Sequence, residues 1–127
     1  MNREIKFRGK SLVDIGNIKK GDWVFGGIVF DTDRVWIDVA YVGQVLVEKE
    51  TVGQYTGFHD RFGDEIYESD IVYVRSEDEN AIIEWDEQTA RFIIHFDGCI
   101  ADFDNYYGKE LEIMGDIYNN PELLGGE

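Results

Sequence analysis

The feature that most constrains this chain is apolar/polar alternation with a period of two, cut into short lengths by glycine and turn residues. Side chains of a strand alternate between faces, so such a pattern suits half-buried strands and not helices. Arg3-Glu4-Ile5-Lys6-Phe7-Arg8 alternates, which places Ile5 and Phe7 on one face. Trp23-Val24-Phe25 and Ile28-Val29-Phe30 flank Gly26-Gly27, and a glycine pair inside a strand predicts a bulge or bend. Asp31-Thr32-Asp33 leads into a strand over residues 35–39, and Val45-Leu46-Val47 makes another. Further strands are expected from Thr51 to Thr56, at Ile66-Tyr67, from Asp70 to Arg75, from Ala81 to Trp85, from Arg91 to Phe96 and from Leu111 to Tyr118. Asp60-Arg61-Phe62-Gly63 has the Asp-first, Gly-fourth pattern of a type I turn. Asp97-Gly98 between apolar runs marks a hairpin. Only the end reads as helical: Asn120 is placed to cap, Pro121 to open the turn, and Gly125-Gly126 to stop it.

Strands this short and this closely spaced predict a mainly β fold. One or two small antiparallel, SH3-like or partly open barrels are expected, with a short C-terminal helical turn. At 127 residues and 43% hydrophobic content, the chain can bury a core without disulfides. The single cysteine, Cys99, cannot form an internal disulfide. No stretch nears the roughly 20 apolar residues that cross a bilayer, and the N-terminus has no signal-like run. A cytoplasmic location and no membrane partner are the expectation.

The net charge of −15 is unevenly spread. Residues 1–50 hold eight acidic and eight basic side chains, whereas residues 51–127 hold nineteen acidic against Arg61, Arg75, Arg91 and Lys109. This split predicts a neutral N-terminal β lobe over 1–50 and an acidic β lobe over 51–127. An acidic field repels phosphates and attracts basic protein surfaces, which argues against direct nucleic-acid binding. Arg3, Lys6, Arg8, Lys10, Lys19 and Lys20 gather near Phe7 and Trp23. Pairing with the acidic half, within or between subunits, fits them better than stacking on single strands.

Motifs for chemistry are sparse. Asp31 with Asp33, and Asp102 with Asp104 and Asn105, bring oxygen ligands together, but no calcium-binding loop with a terminal Glu follows. His59, His95 and Cys99 lack the paired spacing of a closed zinc site. Cys99 and His95 face each other across the predicted hairpin, yet the surrounding acids oppose a thiolate. Neither a P-loop nor a dinucleotide fingerprint occurs. No cofactor, metal or catalytic residue is assigned.

Three segments, in order along nearly the whole chain, resemble the YopX-like family of phage and prophage proteins. They are Arg3 to Arg8 with Trp23-Val24-Phe25-Gly26, then Glu50 to Val72, then Ile113 to Leu124. Ser69 stands where that family usually has Gly in Glu-Gly-Asp-Ile-Val, and a Trp common after Phe7-Arg8 is absent. If the family glycine adopts positive φ, Ser69 carries a cost of about 1 kcal/mol. The resemblance implies a phage or prophage origin and a mainly β fold, with no established activity and no catalytic residues.

Within the central segment, Gly53, Tyr55, Gly57, Asp60, Gly63, Ile66, Tyr67 and Asp70 read as a structural motif: glycines for turns, Asp60 to close one, and apolar residues for the core. The expected role is a protein-interaction or self-assembly module, its partner a second copy in a homo-oligomer or a phage or host protein. An acidic DNA mimic acting on a host nucleic-acid-binding protein is the alternative, and an enzyme with an unrecognised site the second.

Overall fold

A computed structural model describes residues 4–103 and 108–125. The chain forms two compact units, Met1–Tyr55 and Thr56–Glu127. Residues 51–55 are uncharged, so the whole acidic excess falls in the second unit.

The first unit contains β1 (Phe7–Ser11), β2 (Trp23–Phe30), β3 (Val35–Val39) and most of β4 (Gly43–His59). All pairings are antiparallel, and β1 pairs with both β2 and β4, so the four strands close into a ring. Gly26-Gly27 is the corner: β2 pairs with β1 up to Gly26 and with β3 from Gly27 onward. A Cβ on Gly26 would lie 2.0 Å from the Asp38 carbonyl oxygen, so only glycine permits this approach. The core of this unit is Val24, Val35, Ile37, Val45 and Val47. Each side chain buried there stabilises by about 1.5–3 kcal/mol.

Two expectations are corrected in this unit. The first strand begins at Phe7 and not at Arg3, so Ile5 lies before it and is exposed. Pairing runs from Phe7 to Ser11, where Gly9 packs so tightly on Val47 that a Cβ would sit 2.9 Å from its Cγ2. The predicted strands at 45–47 and 51–56 are a single strand, β4. Against it, β1 steps from Lys10↔Glu48 to Arg8↔Gly53, so β4 bulges between Glu48 and Gly53. Buried Thr51 satisfies the bulge: its hydroxyl accepts from Lys10 N (2.9 Å) and donates to the Glu48 carbonyl (2.6 Å).

The second unit contains β5 (Glu65–Tyr67), β6 (Asp70–Val74), β7 (Glu79–Asp86), β8 (Arg91–Phe96), β9 (Cys99–Asp102) and β10 (Leu111–Asp116). Five of these form an antiparallel sheet in the order β10-β6-β7-β8-β9, while β5 pairs with β4. Alternation directs Val72, Val74, Ala81, Ile83, Ile94, Phe96 and Leu111 into a core that also takes Ile66 and Phe103. The Asp97-Gly98 hairpin forms as expected, with Phe96 opposite Cys99 and Gly98 at φ 88°.

Pro121–Leu124 makes one 3-10 turn, closed by Gly125 in the left-handed region. Asn120 does not cap it by its side chain. Its Oδ1 instead accepts from Asp116 N (3.3 Å), in space that exists because residue 115 is glycine. Among the described residues no helix is long and apolar enough to cross a membrane.

Candidate functional site

The residues of the central motif divide between scaffold and surface. Gly53, opposite Arg8 on β4, and buried Tyr55 belong to the first unit, where Tyr55 N donates to the Lys6 carbonyl. The others lie in the second unit, where Asp60 is the organising residue. Gly63 N donates to the Asp60 carbonyl at 3.0 Å, closing the predicted turn, and Gly63 takes φ 87°. The Asp60 carboxylate is buried and accepts three backbone N–H groups: Phe62 (2.9 Å), Asp64 (3.0 Å) and, from β10, Ile113 (3.1 Å). Arg61 N adds a bond to the Leu111 carbonyl, so the turn is fastened to β10 at two points. Charge-assisted bonds of this kind are the stronger class.

The rest of the motif supports this fastening. Ile66 is fully buried, and the Thr56 hydroxyl donates to its carbonyl at 2.7 Å. Asp70 is buried and accepts from Tyr67 N at 2.8 Å, across a connection in which Ser69 takes φ 78°. At the far end of β10, buried Asp116 accepts from Tyr118 N and Asn119 N, each at 2.9 Å. The sequence reading missed Asp116, although Asp followed by an Asn three residues on is a local turn signal.

This fastened turn and the adjoining end of β4 expose two aromatic side chains as well as Arg61. Phe62 is 65% exposed, with the Arg61 guanidinium 4.9 Å from its ring centre. Phe58 is 41% exposed, one face stacked on Phe103 at 4.4 Å between ring centres. Gly57, at φ 89°, and His59 between them are also exposed. The sequence reading assigned neither Phe58 nor Phe62 a role, because an aromatic in a β-rich chain reads first as core. The signal lies in position for Phe62 alone, which falls in a turn where a strand face cannot bury it; Phe58 is part of β4 and carried no such signal.

This turn lies within residues that a family model matches. The YopX protein family model matches residues 11–125. The chain belongs to the YopX protein family. No curated protein matches it. In this YopX-family chain the matched residues include a turn locked by Asp60 and presenting Phe62, with Phe58 exposed at the adjoining end of β4.

Elsewhere the candidate chemistry disperses. His95 lies opposite Ile82 and Ile100, and its Nδ1 meets Glu84 Oε1 at 3.0 Å. Cys99 lies opposite Phe96, which puts it on the other face of the ribbon from His95, contrary to the expected approach. Asp31 Oδ1 accepts from Asp33 N and Arg34 N, and these bonds, Arg34 first, hold its pKa below the usual value. Asp86 is lowered likewise by the Thr89 hydroxyl and then by Gln88 N. Tyr73 is raised, chiefly because its hydroxyl donates to Asp78. Asp102 pairs with Arg91 at 2.8 Å, and its proposed companions Asp104 and Asn105 lie outside the described residues. No cluster of three or more His, Cys, Asp or Glu suited to a metal occurs among the described residues.

Proposed function

We propose that this YopX-family chain is a protein-interaction module that docks through the end of β4 and the turn that follows it, residues 57–63. The carrying observation is Phe62: a large aromatic, 65% exposed, on a turn held by a buried carboxylate with three backbone donors. Burial of such a ring at an interface is worth about 2 kcal/mol or more, and a fixed backbone lowers the ordering cost of binding. The partner is a phage or host protein, or a second copy in a homo-oligomer. A phage or prophage origin and a cytoplasmic setting are parts of the same proposal. The DNA-mimic reading, which rests on the acidic residues of the C-terminal part, draws less support, since the Asp60, Asp70 and Asp116 carboxylates are buried and that of Asp86 serves its own turn. The enzyme reading loses its nominated pair, because Cys99 and His95 lie on opposite faces.

The test has two arms. Sedimentation of the pure protein at low and high salt measures self-assembly, and capture from the source cell with wild type and Phe62→Ser measures other partners. The expected result is an assembly or a captured protein that Phe62→Ser abolishes and Trp85→Ser leaves intact. A monomer whose captured set is the same with Phe62→Ser would overturn the proposal.

A further inference from the structure

The second unit carries a groove of about 530 Å³ between β7, β8 and the Pro121–Leu124 turn. Its apolar lining is Ile82, Phe96, Leu123 and Leu124, and Asn80 Nδ2 holds the turn in place through the Leu123 carbonyl at 2.8 Å. Leu124 is 40% exposed at its rim. The register extends the apolar surface: Ile82, His95 and Ile100 are directly opposite one another across β7, β8 and β9, so their side chains share one face. Ile100, on the last strand of the sheet order, is 61% exposed.

Charge selects the occupant. Glu79 and Asp97 line the groove, Glu84 holds His95, and none of the lining residues is Lys or Arg. The unit around it holds the entire net charge of −15. A second copy of this unit would be repelled, and the first unit, being neutral, has no basic excess to offer. We infer that the groove binds an extended segment of a partner protein that places an apolar side chain between Leu124 and Ile82 and sets Lys or Arg against Glu79 and Asp97. This site is separate from the turn over residues 57–63, and the inference rests on the proposed interaction role only in taking a protein as the ligand.

The test is an amide NMR titration of the full ¹⁵N-labelled chain with two peptides sharing one apolar centre. One is Lys-Arg-Leu-Ile-Leu-Arg-Lys and the other Glu-Asp-Leu-Ile-Leu-Asp-Glu. The basic peptide is expected to shift amides of Ile82, His95, Gly98 and Leu124, and to bind at least tenfold more tightly than the acidic one, roughly the scale of a charge-complementary contact. Leu124→Ser, at a half-exposed position, should weaken it about tenfold, the loss of one apolar anchor. Equal binding of both peptides, shifts scattered over the acidic surface without a focus in the groove, no binding, or full affinity in Leu124→Ser would each overturn the inference. Phe62→Ser should leave peptide affinity unchanged, so loss of this inference is distinguishable from loss of the docking role of the turn.

Discussion

Ser69 offers the sharpest test of the backbone. It links β5 to β6 at φ 78°, where an L-residue brings its Cβ close to the following carbonyl oxygen. The position cannot relax easily, because both its peptide groups are engaged. Ser69 N donates to the Ile83 carbonyl at 2.7 Å, and the Ser69 carbonyl accepts from Ile117 N at 3.1 Å. Replacement by glycine removes a left-handed penalty of about 1–2 kcal/mol. Glycine also gives the unfolded chain more freedom, which takes back about 0.4–1 kcal/mol. The net expectation for Ser69→Gly relative to Ser69→Ala is a gain of about 1 kcal/mol. That equals a rise in melting temperature of roughly 3–5 °C for a chain of this size.

Alanine is the proper reference because it lacks the hydroxyl, as glycine does, but keeps the steric cost. Urea unfolding followed by tryptophan fluorescence separates the two units, since Trp85 lies in the second while Trp23 and Trp36 lie in the first. If the units unfold separately, only the Trp85 transition should move. A Ser69→Gly chain no more stable than Ser69→Ala would refute the reasoning, because it would mean that residue 69 bears no left-handed strain.

Asp60→Ala should lower stability by about 2–4 kcal/mol in urea unfolding, since three backbone donors lose a charged acceptor. Asp60→Asn, which keeps one carbonyl oxygen, should lose less, and equal stability of all three chains would contradict the assigned role. Thr89→Val should bring the Asp86 pKa back up toward 3.8 in a carboxyl NMR titration, because the Thr89 hydroxyl is the first cause of its depression. The folded pKa lies below the unfolded one, so Asp86 stabilises above about pH 4 and that contribution disappears as pH falls through the folded value. Thr89→Val should therefore flatten the acid limb of the stability curve, and an unchanged limb would count against it. Tyr73 has the opposite sign: its folded pKa is raised, so its contribution is full below about pH 10 and lost as pH rises through the folded value. Asp78→Asn should lower the Tyr73 titration midpoint seen by NMR, and an unmoved midpoint would exclude the hydrogen bond as its cause.

What could be read from the sequence was local. Alternation and turn chemistry act over a few residues, so the Asp97-Gly98 hairpin, the Asp60–Gly63 turn and the bend at Gly26-Gly27 were all legible. Features set by a distant partner were not. Ile5 continues the alternation of Phe7, yet the strand starts only where β2 and β4 supply partners. The unity of β4 depends on the step from Lys10 to Arg8 in β1, forty residues away, and on Thr51 filling the resulting bulge. Asn120 had the composition of a cap, but the missing Cβ at Gly115 gave its side chain another acceptor role. Of the site, Asp60 and Gly63 were legible as a turn. Phe62 was not, because hydrophobicity states what a side chain prefers and only the tertiary fold decides whether the chain grants it burial.

That exposure is left in place by a specific trade. A turn lying free could fold Phe62 inward and hide it. With Phe62 N and Asp64 N both donating to Asp60, and with Ile113 N and the Leu111 carbonyl holding the base of the turn, the backbone cannot collapse without breaking bonds to a buried charge. Breaking such a set costs more than the roughly 1.5–3 kcal/mol gained by burying one phenylalanine, so the exposed conformation wins. In the proposed docking role the same bonds would remove freedom before a partner arrives, so less would be lost than from a flexible loop. The acidic excess of the second unit would act in that role over a different range. At physiological salt it is felt within about 8 Å, enough to orient an approaching basic surface but not to hold it, which in the proposed role would leave the holding to the aromatic contact.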